Sequence, residues 1–281
     1  MKLPGVLCLL LLLACARAEE SRLRVSSFST ILTEIAREVG GEKVEVFAHV
    51  KPGVDPHEFE PPPADLKTVA AADLILMSGR HLESYAGKLH AAAGGKAALL
   101  EVGDRLPGAP DDPHWWHSIG NVERATKIVR DELIRLRPGA RADFSANADK
   151  YLARLGALKK WVKAKVAELP LDRRKLVTNH DSFGYFAKEF GFDVYPIAGI
   201  SANDQPGSKK VASIIATIRA QGVKAIFSEE NENPKMIEQI TRETGAKLGG
   251  KLLSDGLGAE PFGTIEAMFR HNVTTIVDAL K

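Results

Sequence analysis

Eight histidines are spread through the chain: His49, His57, His81, His90, His114, His117, His180 and His271. Three of them fall in loops with strong local character. His57 lies in Pro52-Gly53-Val54-Asp55-Pro56-His57-Glu58-Phe59-Glu60-Pro61, His114 in Asp112-Pro113-His114-Trp115-Trp116-His117, and His180 in Val177-Thr178-Asn179-His180-Asp181-Ser182. A carboxylate, Asp255, follows the apolar pair Leu252-Leu253 in a similar setting. Imidazole nitrogen and carboxylate oxygen are the donors zinc takes when thiolate is absent, four of them in a tetrahedron at about 2.0–2.2 Å. Three histidines and one aspartate would fill such a site, whereas a catalytic zinc keeps one position for water. A loop histidine is otherwise an ordinary surface or hydrogen-bonded residue, and the pattern alone leaves both readings open for each of the three.

The elements around these residues argue for an α/β fold. Leu23–Ser27 and Val44–Val50 read as strands, with a helix between them whose face carries Ile31, Leu32, Ile35, Ala36 and Val39 and which stops at Gly40-Gly41. Pro61-Pro62-Pro63 marks a helix start, continued by Leu66, Val69 and Ala70. Leu74–Met77 and Ala97–Val102 are strands flanking a helix from about Leu82 to Ala92. A Pro-, Gly- and Asp-rich loop, 103–118, precedes a helix over Asn121–Leu136. From Ala142 to Leu169 a longer helix carries one apolar stripe, Tyr151, Leu152, Leu155, Leu158, Trp161, Val162 and Val166. At ~1.5 Å per residue it would span roughly 40 Å, about a domain diameter. Beyond Pro170 the alternation restarts, with strands at Leu176–Thr178, Asp193–Ile197, Ala225–Ser228 and Lys247–Leu253. Helices follow them at about Phe183–Phe190, Ser208–Gln221, Pro234–Gly245 and Thr264–Leu280. The expected architecture is two βα lobes with parallel sheets joined by a long, rigid linker helix. The boundaries fall at 19–140 for the first lobe, 141–169 for the helix and 170–281 for the second. In such sheets ligands bind beyond the carboxyl ends of the strands, which is where His57, His114, His180 and Asp255 are expected. Two residues from each half would then meet in the cleft between lobes.

The chain has 281 residues, 44% hydrophobic and 26% charged, an ordinary globular mixture. Its first residues differ: Lys2, an apolar run from Val6 to Ala14, then Ala16-Arg17-Ala18. That is the three-part pattern of a secretory signal, too short to span a bilayer, and residues 1–18 are expected to be removed. Lys2 and Arg17 leave with it, so 38 basic residues become 36, equal to the 36 acidic ones. A balanced surface gives no electrostatic footprint for nucleic acid or an anionic membrane. Cys8 and Cys15 leave too, so any metal must be held by nitrogen and oxygen. Leu12-Leu13-Ala14-Cys15 loosely matches a lipoprotein box, but Leu13 is awkward there, and the soluble form is favoured.

Taken together the motifs resemble the metal-specific cluster of periplasmic substrate-binding proteins, the zinc and manganese receptors of ABC importers. The similarity runs over nearly all of 22–281. Asp55-Pro56-His57-Glu58-Phe59-Glu60-Pro61 resembles the first ligand loop of that family, and Pro62-Pro63-Ala64-Asp65-Leu66 with Ala71-Ala72-Asp73-Leu74-Ile75 its next helix and strand. Asp112-Pro113-His114 with Trp116 resembles the second ligand motif, Asn179-His180-Asp181 through Phe186 the third, and Ser254-Asp255-Gly256-Leu257-Gly258 the fourth. The resemblance implies metal between two lobes, ligated by His57, His114, His180 and Asp255. It implies Zn2+ as cargo, because the third ligand is His180 where manganese receptors tend to have Glu; Mn2+ is the alternative. It also implies a periplasmic, monomeric, non-enzymatic protein that serves a permease in the inner membrane, with a periplasmic metallochaperone as a further partner.

Two departures stand out. His117 occupies a position where many relatives have Leu, and it reads as an extra ligand, a contact for a metal-delivering partner, or a plain loop histidine beside stacked indoles. The loop Asp104–Asp111 is short and has no His, unlike the His-rich loop of many zinc receptors. Glu229-Glu230-Asn231-Glu232 reads either as a hydrogen-bond partner for a ligand histidine or as a solvated acidic loop. His49, His81, His90 and His271 read as structural or surface residues. The competing class is a secreted zinc hydrolase, against which stand the lack of an H-E-x-x-H helix and a ligand set already full. A surface-anchored lipoprotein for adhesion or metal storage is a third reading.

Overall fold

Strands and helices alternate within each half of the described chain. The structure is a computed structural model and describes residues 21–201, 204, 206–229 and 235–281. The expected leader with Cys8 and Cys15, and Glu230, Asn231, Glu232 and Pro234, lie outside the described residues. The first half runs β1 (Leu23–Ser27), α1 (Thr30–Gly40), β2 (Val44–Ala48), α2 (Asp65–Ala70), β3 (Leu74–Met77), α3 (Ala86–Ala92), β4 (Ala98–Glu101) and α4 (Ile119–Leu136). The long helix α5 (Arg141–Val166) follows. The second half runs β5 (Lys175–Thr178), α6 (Gly184–Phe190), β6 (Asp193–Pro196), α7 (Ser208–Gln221), β7 (Ala225–Glu229), α8 (Lys235–Thr244), β8 (Lys247–Leu252) and α9 (Ile265–Leu280).

Each half contributes a four-stranded sheet, ordered β2-β1-β3-β4 and β6-β5-β7-β8, with every pair parallel. Both orders reverse direction next to their first strand, which opens a crevice at the carboxyl ends. Pro196 ends β6, an edge strand, where its missing N–H costs no ladder bond.

The period-two geometry of a strand explains how two sheets share one core. In β3, Leu74 and Leu76 face the large common core, while Ile75 and Met77 face a smaller cluster with Phe28, Val50, Val69 and Ala86. In β7, Ala225 and Phe227 face the common core and Ile226 the opposite cluster with Ile215, Ile218, Ile237 and Ile240. α5 packs against α1, α4 and α9 in the middle. Its buried positions, Phe144, Ala148, Tyr151, Leu155, Leu158, Val162 and Val166, step by three or four residues. Leu152 and Trp161 of the expected stripe lie at its edge, half-buried against that core. The Trp161 ring carries the Arg270 guanidinium of α9 at 4.6 Å. The 26-residue helix is about 39 Å long at about 1.5 Å per residue.

Helix starts follow local chemistry. Ser29, Ser118 and Thr264 cap α1, α4 and α9 by accepting from the amides of Leu32, Asn121 and Ala267. Gly41, at φ +51°, ends α1 as the Gly40-Gly41 pair suggests. The helix expected from Leu82 begins only at Ala86. Gly79, Arg80 and His81 all have positive φ, and Glu83 folds back to accept from the amides of Ser78 and Gly79 at 2.7 and 3.0 Å. That closed turn replaces the first helical turn. The helix expected at Pro61-Pro62-Pro63 likewise starts at Asp65, whose amide bonds the Pro62 carbonyl. No helix among the described residues is long and apolar enough to cross a membrane.

Candidate metal centre

The four singled-out residues all lie beyond strand carboxyl ends: His57 after β2, His114 after β4, His180 after β5 and Asp255 after β8. The structure brings them together. One donor atom from each lies within 4.8 Å of all the others. His114 Nε2 is 3.1 Å from His57 Nε2 and 3.4 Å from His180 Nε2. Asp255 Oδ1 is 3.3 Å from His180 Nε2 and 3.7 Å from the Nε2 atoms of His57 and His114. Donors bonded at about 2.0–2.2 Å in a tetrahedron stand about 3.3–3.6 Å apart, and five of the six donor pairs, at 3.1–3.7 Å, lie close to that spacing. The His114 and His180 side chains are fully buried, and those of His57 and Asp255 are 11% and 5% exposed.

Carboxylates orient two of the three rings. Asp112 Oδ1 faces His114 Nδ1 at 2.9 Å and accepts the His114 amide at 3.0 Å. Glu229, at the end of β7, pairs with His180 Nδ1 and accepts the His180 amide at 3.2 Å. In each case Nδ1 is engaged and Nε2 is left to point inward, the usual way a protein aims a ligating imidazole. Asp55 fixes the first loop by accepting the His57 amide at 2.8 Å.

The surroundings set unequal protonation. Burial and the neighbouring His114 push His57 down to about 4. Burial acts the same way on His180, but Glu229 and Asp255 outweigh it and hold that imidazole up at about 11. His114 is also raised, because Asp112 and Asp255 overcome its burial. Asp255 is buried, yet His114 and His180 keep its carboxyl well below the usual range. The site is thus built around an anionic carboxylate and electron-rich rings, and protons supply the positive charge when no cation does.

His117 lies outside this constellation, and of its three readings its contacts match the histidine beside the indoles. Its Nε2 donates to the Ser254 carbonyl at 2.7 Å, its ring stacks on Phe183, and it is 1% exposed. Glu229 is 1% exposed, so the solvated-loop reading fails for that residue and the partner reading holds. Of the remaining histidines, His49 pairs with Asp65 and stacks on Phe28, His90 and His271 meet the carbonyls of Ala97 and Lys251, and His81 is exposed.

Sequence reasoning missed two supports. Asp112 was visible only as part of a motif, although its spacing of two residues before His114 suits a carboxylate that grips its own neighbour. Arg80 gave no signal. Its buried guanidinium collects the carbonyls of Gly103, Leu106, Pro107, Ala109 and Asp112, and so shapes the segment that delivers His114. The two halves also meet directly beside the site: Thr30 Oγ1 accepts from the Leu257 amide at 2.9 Å. Between them Gly256 has φ +149°, and a Cβ there would come within 2.5 Å of the Thr30 hydroxyl.

The profile of the family described as ZnuA, zinc-uptake complex component A, periplasmic, matches residues 25–279. The manganese-binding lipoprotein MntA of Bacillus subtilis is 31% identical, over 95% of this chain and 93% of that protein. The zinc-binding protein TroA of Treponema pallidum is also 31% identical, over 94% of this chain and 91% of that protein. The solved structure of the periplasmic zinc-binding protein TroA superposes with a TM-score of 0.85 at 29% identity, covering 92% of this chain and 99% of that one. A cadmium-bound periplasmic metal-binding protein from Candidatus Liberibacter asiaticus gives 0.86 at 27% identity, covering 93% and 100%. The hydrolase reading gives way to the family, whose matched members are metal-binding transport proteins. The chain belongs to the ZnuA family: it is a metal-binding, substrate-binding component of an ABC importer, a transport protein rather than an enzyme, and one that works with a membrane permease and its ATPase.

Proposed function

We propose that this protein captures Zn2+ with His57, His114, His180 and Asp255 and delivers it to its permease. The observation that carries this reading is the donor set itself, three Nε2 atoms and one carboxylate oxygen at tetrahedral spacing. Imidazole-rich, four-coordinate sites suit zinc, whereas manganese favours more oxygen donors and higher coordination numbers. Mn2+ is the second reading, because relatives named for manganese are as similar as those named for zinc. Competitive titration calorimetry with zinc and manganese, backed by metal analysis of protein taken from its native compartment, separates them. Tighter binding of manganese, or native protein loaded with it, would overturn the zinc assignment.

The division into lobes 19–140 and 170–281 about a helix 141–169 belongs to the same proposal, with the ion held where the two halves meet. So does its setting: export by a leader over 1–18 and release as a soluble, monomeric periplasmic protein, with a metallochaperone as a further partner. Anchoring by lipid at Cys15 is the competing form, and the lipoprotein names of several relatives favour it. The mass of the mature N-terminus decides between a chain starting at Glu19 and one starting at a lipidated Cys15.

A further inference from the structure

The Ser254 carbonyl is a buried meeting point between ligand segments. It accepts two N–H groups, from Trp116 Nε1 at 2.9 Å and His117 Nε2 at 2.7 Å. A carbonyl oxygen has two lone pairs, so both are used. Because this partner can only accept, His117 must carry its proton on Nε2. Trp116, His117 and Ser254 are 1%, 1% and 3% exposed, so water does not compete for these bonds. Both donors sit on the short 3-10 turn Trp115–His117 that directly follows the ligand His114, and the acceptor directly precedes the ligand Asp255. The His117 ring also lies over Phe183, three residues beyond the ligand His180, with centroids 4.4 Å apart and planes 28° apart. One side chain therefore touches the second, third and fourth ligand segments without touching the metal position.

We propose that His117 is a positioning residue for the metal site, and that with Trp116 it forms a clasp on the Ser254 carbonyl that limits escape of the bound ion. The clasp sets the spacing of His114 and Asp255, whose donor atoms stand 3.7 Å apart, and it joins the two halves of the chain at that point. An ion enclosed between the halves is freed by loosening the segments that carry its ligands, and the two hydrogen bonds resist that loosening. The clasp therefore acts mainly on the dissociation rate, as interactions lost in separation generally do.

The inference rests on the ligand set proposed above, and the experiment keeps the two apart. Zinc-loaded protein is mixed with excess colorimetric chelator and the rate of zinc transfer is followed. His117→Leu, which removes the donor at similar bulk, is expected to release zinc about tenfold faster, the factor governed by one buried hydrogen bond. His117→Gln, which keeps an N–H near the place of Nε2, is expected to stay within about threefold of the native rate. Cobalt-loaded His117→Leu is expected to show altered visible d–d bands, since ligand geometry relaxes, while His117→Gln keeps the native spectrum. A native release rate in His117→Leu, or equal rates in the Leu and Gln variants, would overturn the clasp. If His117→Leu does not fold, Trp116→Phe removes the other donor, and faster release supports the clasp while a native rate sinks it. His57→Ala and His180→Ala run alongside: retention of tight zinc binding in these would defeat the ligand set, independently of what His117 does.

Discussion

His57 and His180 bring the same residue type to one cluster from opposite halves of the chain, yet their settings differ sharply. His57 comes from a loop after β2, is 11% exposed and is fixed through its backbone amide by Asp55. His180 follows β5 directly, is fully buried and has its Nδ1 engaged by Glu229, a carboxylate with no exposure of its own. Burial pushes His57 down to about 4, while Glu229 and Asp255 overcome burial and hold His180 at about 11. With both rings ligating as proposed, the difference would let one site combine easy entry with firm retention. The first half offers a neutral, accessible ring that meets the ion, and the second offers a buried ring whose proton the ion must displace.

The largest expected effect comes from deleting either ring. His57→Ala and His180→Ala should both lose zinc affinity by more than the tenfold to about hundredfold that loss of an outer hydrogen-bond partner costs. Only His180→Ala should also destabilise the metal-free protein, by about 3–5 kcal/mol, because it strands the buried Glu229 carboxylate without its cation. Titration calorimetry and chemical denaturation read the two quantities separately. Equal stability in the two variants would break the comparison.

Acidity gives the next test. A zinc ion that displaces one proton binds about tenfold more weakly for each unit of falling pH. His180 holds a proton up to about 11 in the metal-free protein and His114 is raised as well, so affinity should fall at least about hundredfold between pH 7.5 and 5.5. Calorimetry in buffers of different ionisation enthalpy should register proton release on binding. Without metal, the two rings act on stability in opposite directions. His180, raised above its ordinary value, contributes stability that is complete below about 6.5 and is lost as pH rises toward about 11. His57, lowered, contributes stability that is complete above about 6.5 and is lost as pH falls toward about 4. Melting curves of the apo protein should show a shallower alkaline slope in His180→Ala and a shallower acid slope in His57→Ala, the remainder coming from groups shifted the same way, His114 on the alkaline side and His117 on the acid side.

Glu229→Gln sharpens the same contrast with a smaller change. Neutralising the carboxylate lets His180 shed its proton more readily, which favours metal, but it also makes the ring a poorer donor. Measured outer-partner effects say that the second influence wins, by up to about hundredfold in affinity. Proton release on zinc binding should fall in this variant, and the pH dependence of affinity should flatten. Unchanged proton release would mean that Glu229 does not set the charge on His180.

Much of this arrangement was legible before any coordinates. The choice of His57, His114, His180 and Asp255 comes from the family resemblance, while the alternation of strand and helix and the apolar stripe of α5 follow from periodicity, and sheet geometry makes loops beyond strand ends the place to look. These are local or topological signals. The supports were not legible, because each acts across distance. Glu229 reaches His180 from a neighbouring strand 49 residues away. Arg80 gathers carbonyls from 23 to 32 residues ahead while its own backbone adopts φ +56°, which no sequence rule assigns to arginine. His117 was noticed as an unusual residue, but its partner, the Ser254 carbonyl, is a backbone atom and leaves no mark in side-chain identity.

Asp112 offers the smallest and most discriminating change. It does for His114 what Glu229 does for His180, with its oxygen 2.9 Å from Nδ1. Its side chain is 14% exposed, however, whereas that of Glu229 is fully buried, and solvent weakens the field of a charge it can reach. Asp112→Asn also keeps an oxygen that can accept from Nδ1–H. The expected loss of zinc affinity is therefore about tenfold, at the low end of such effects, and the apo protein should melt close to the native temperature. If Asp112→Asn weakened zinc as much as Glu229→Gln, depth of burial would not be what separates the two halves. The difference between His57 and His180 would then have to come from the ligand loops themselves rather than from the carboxylates behind them.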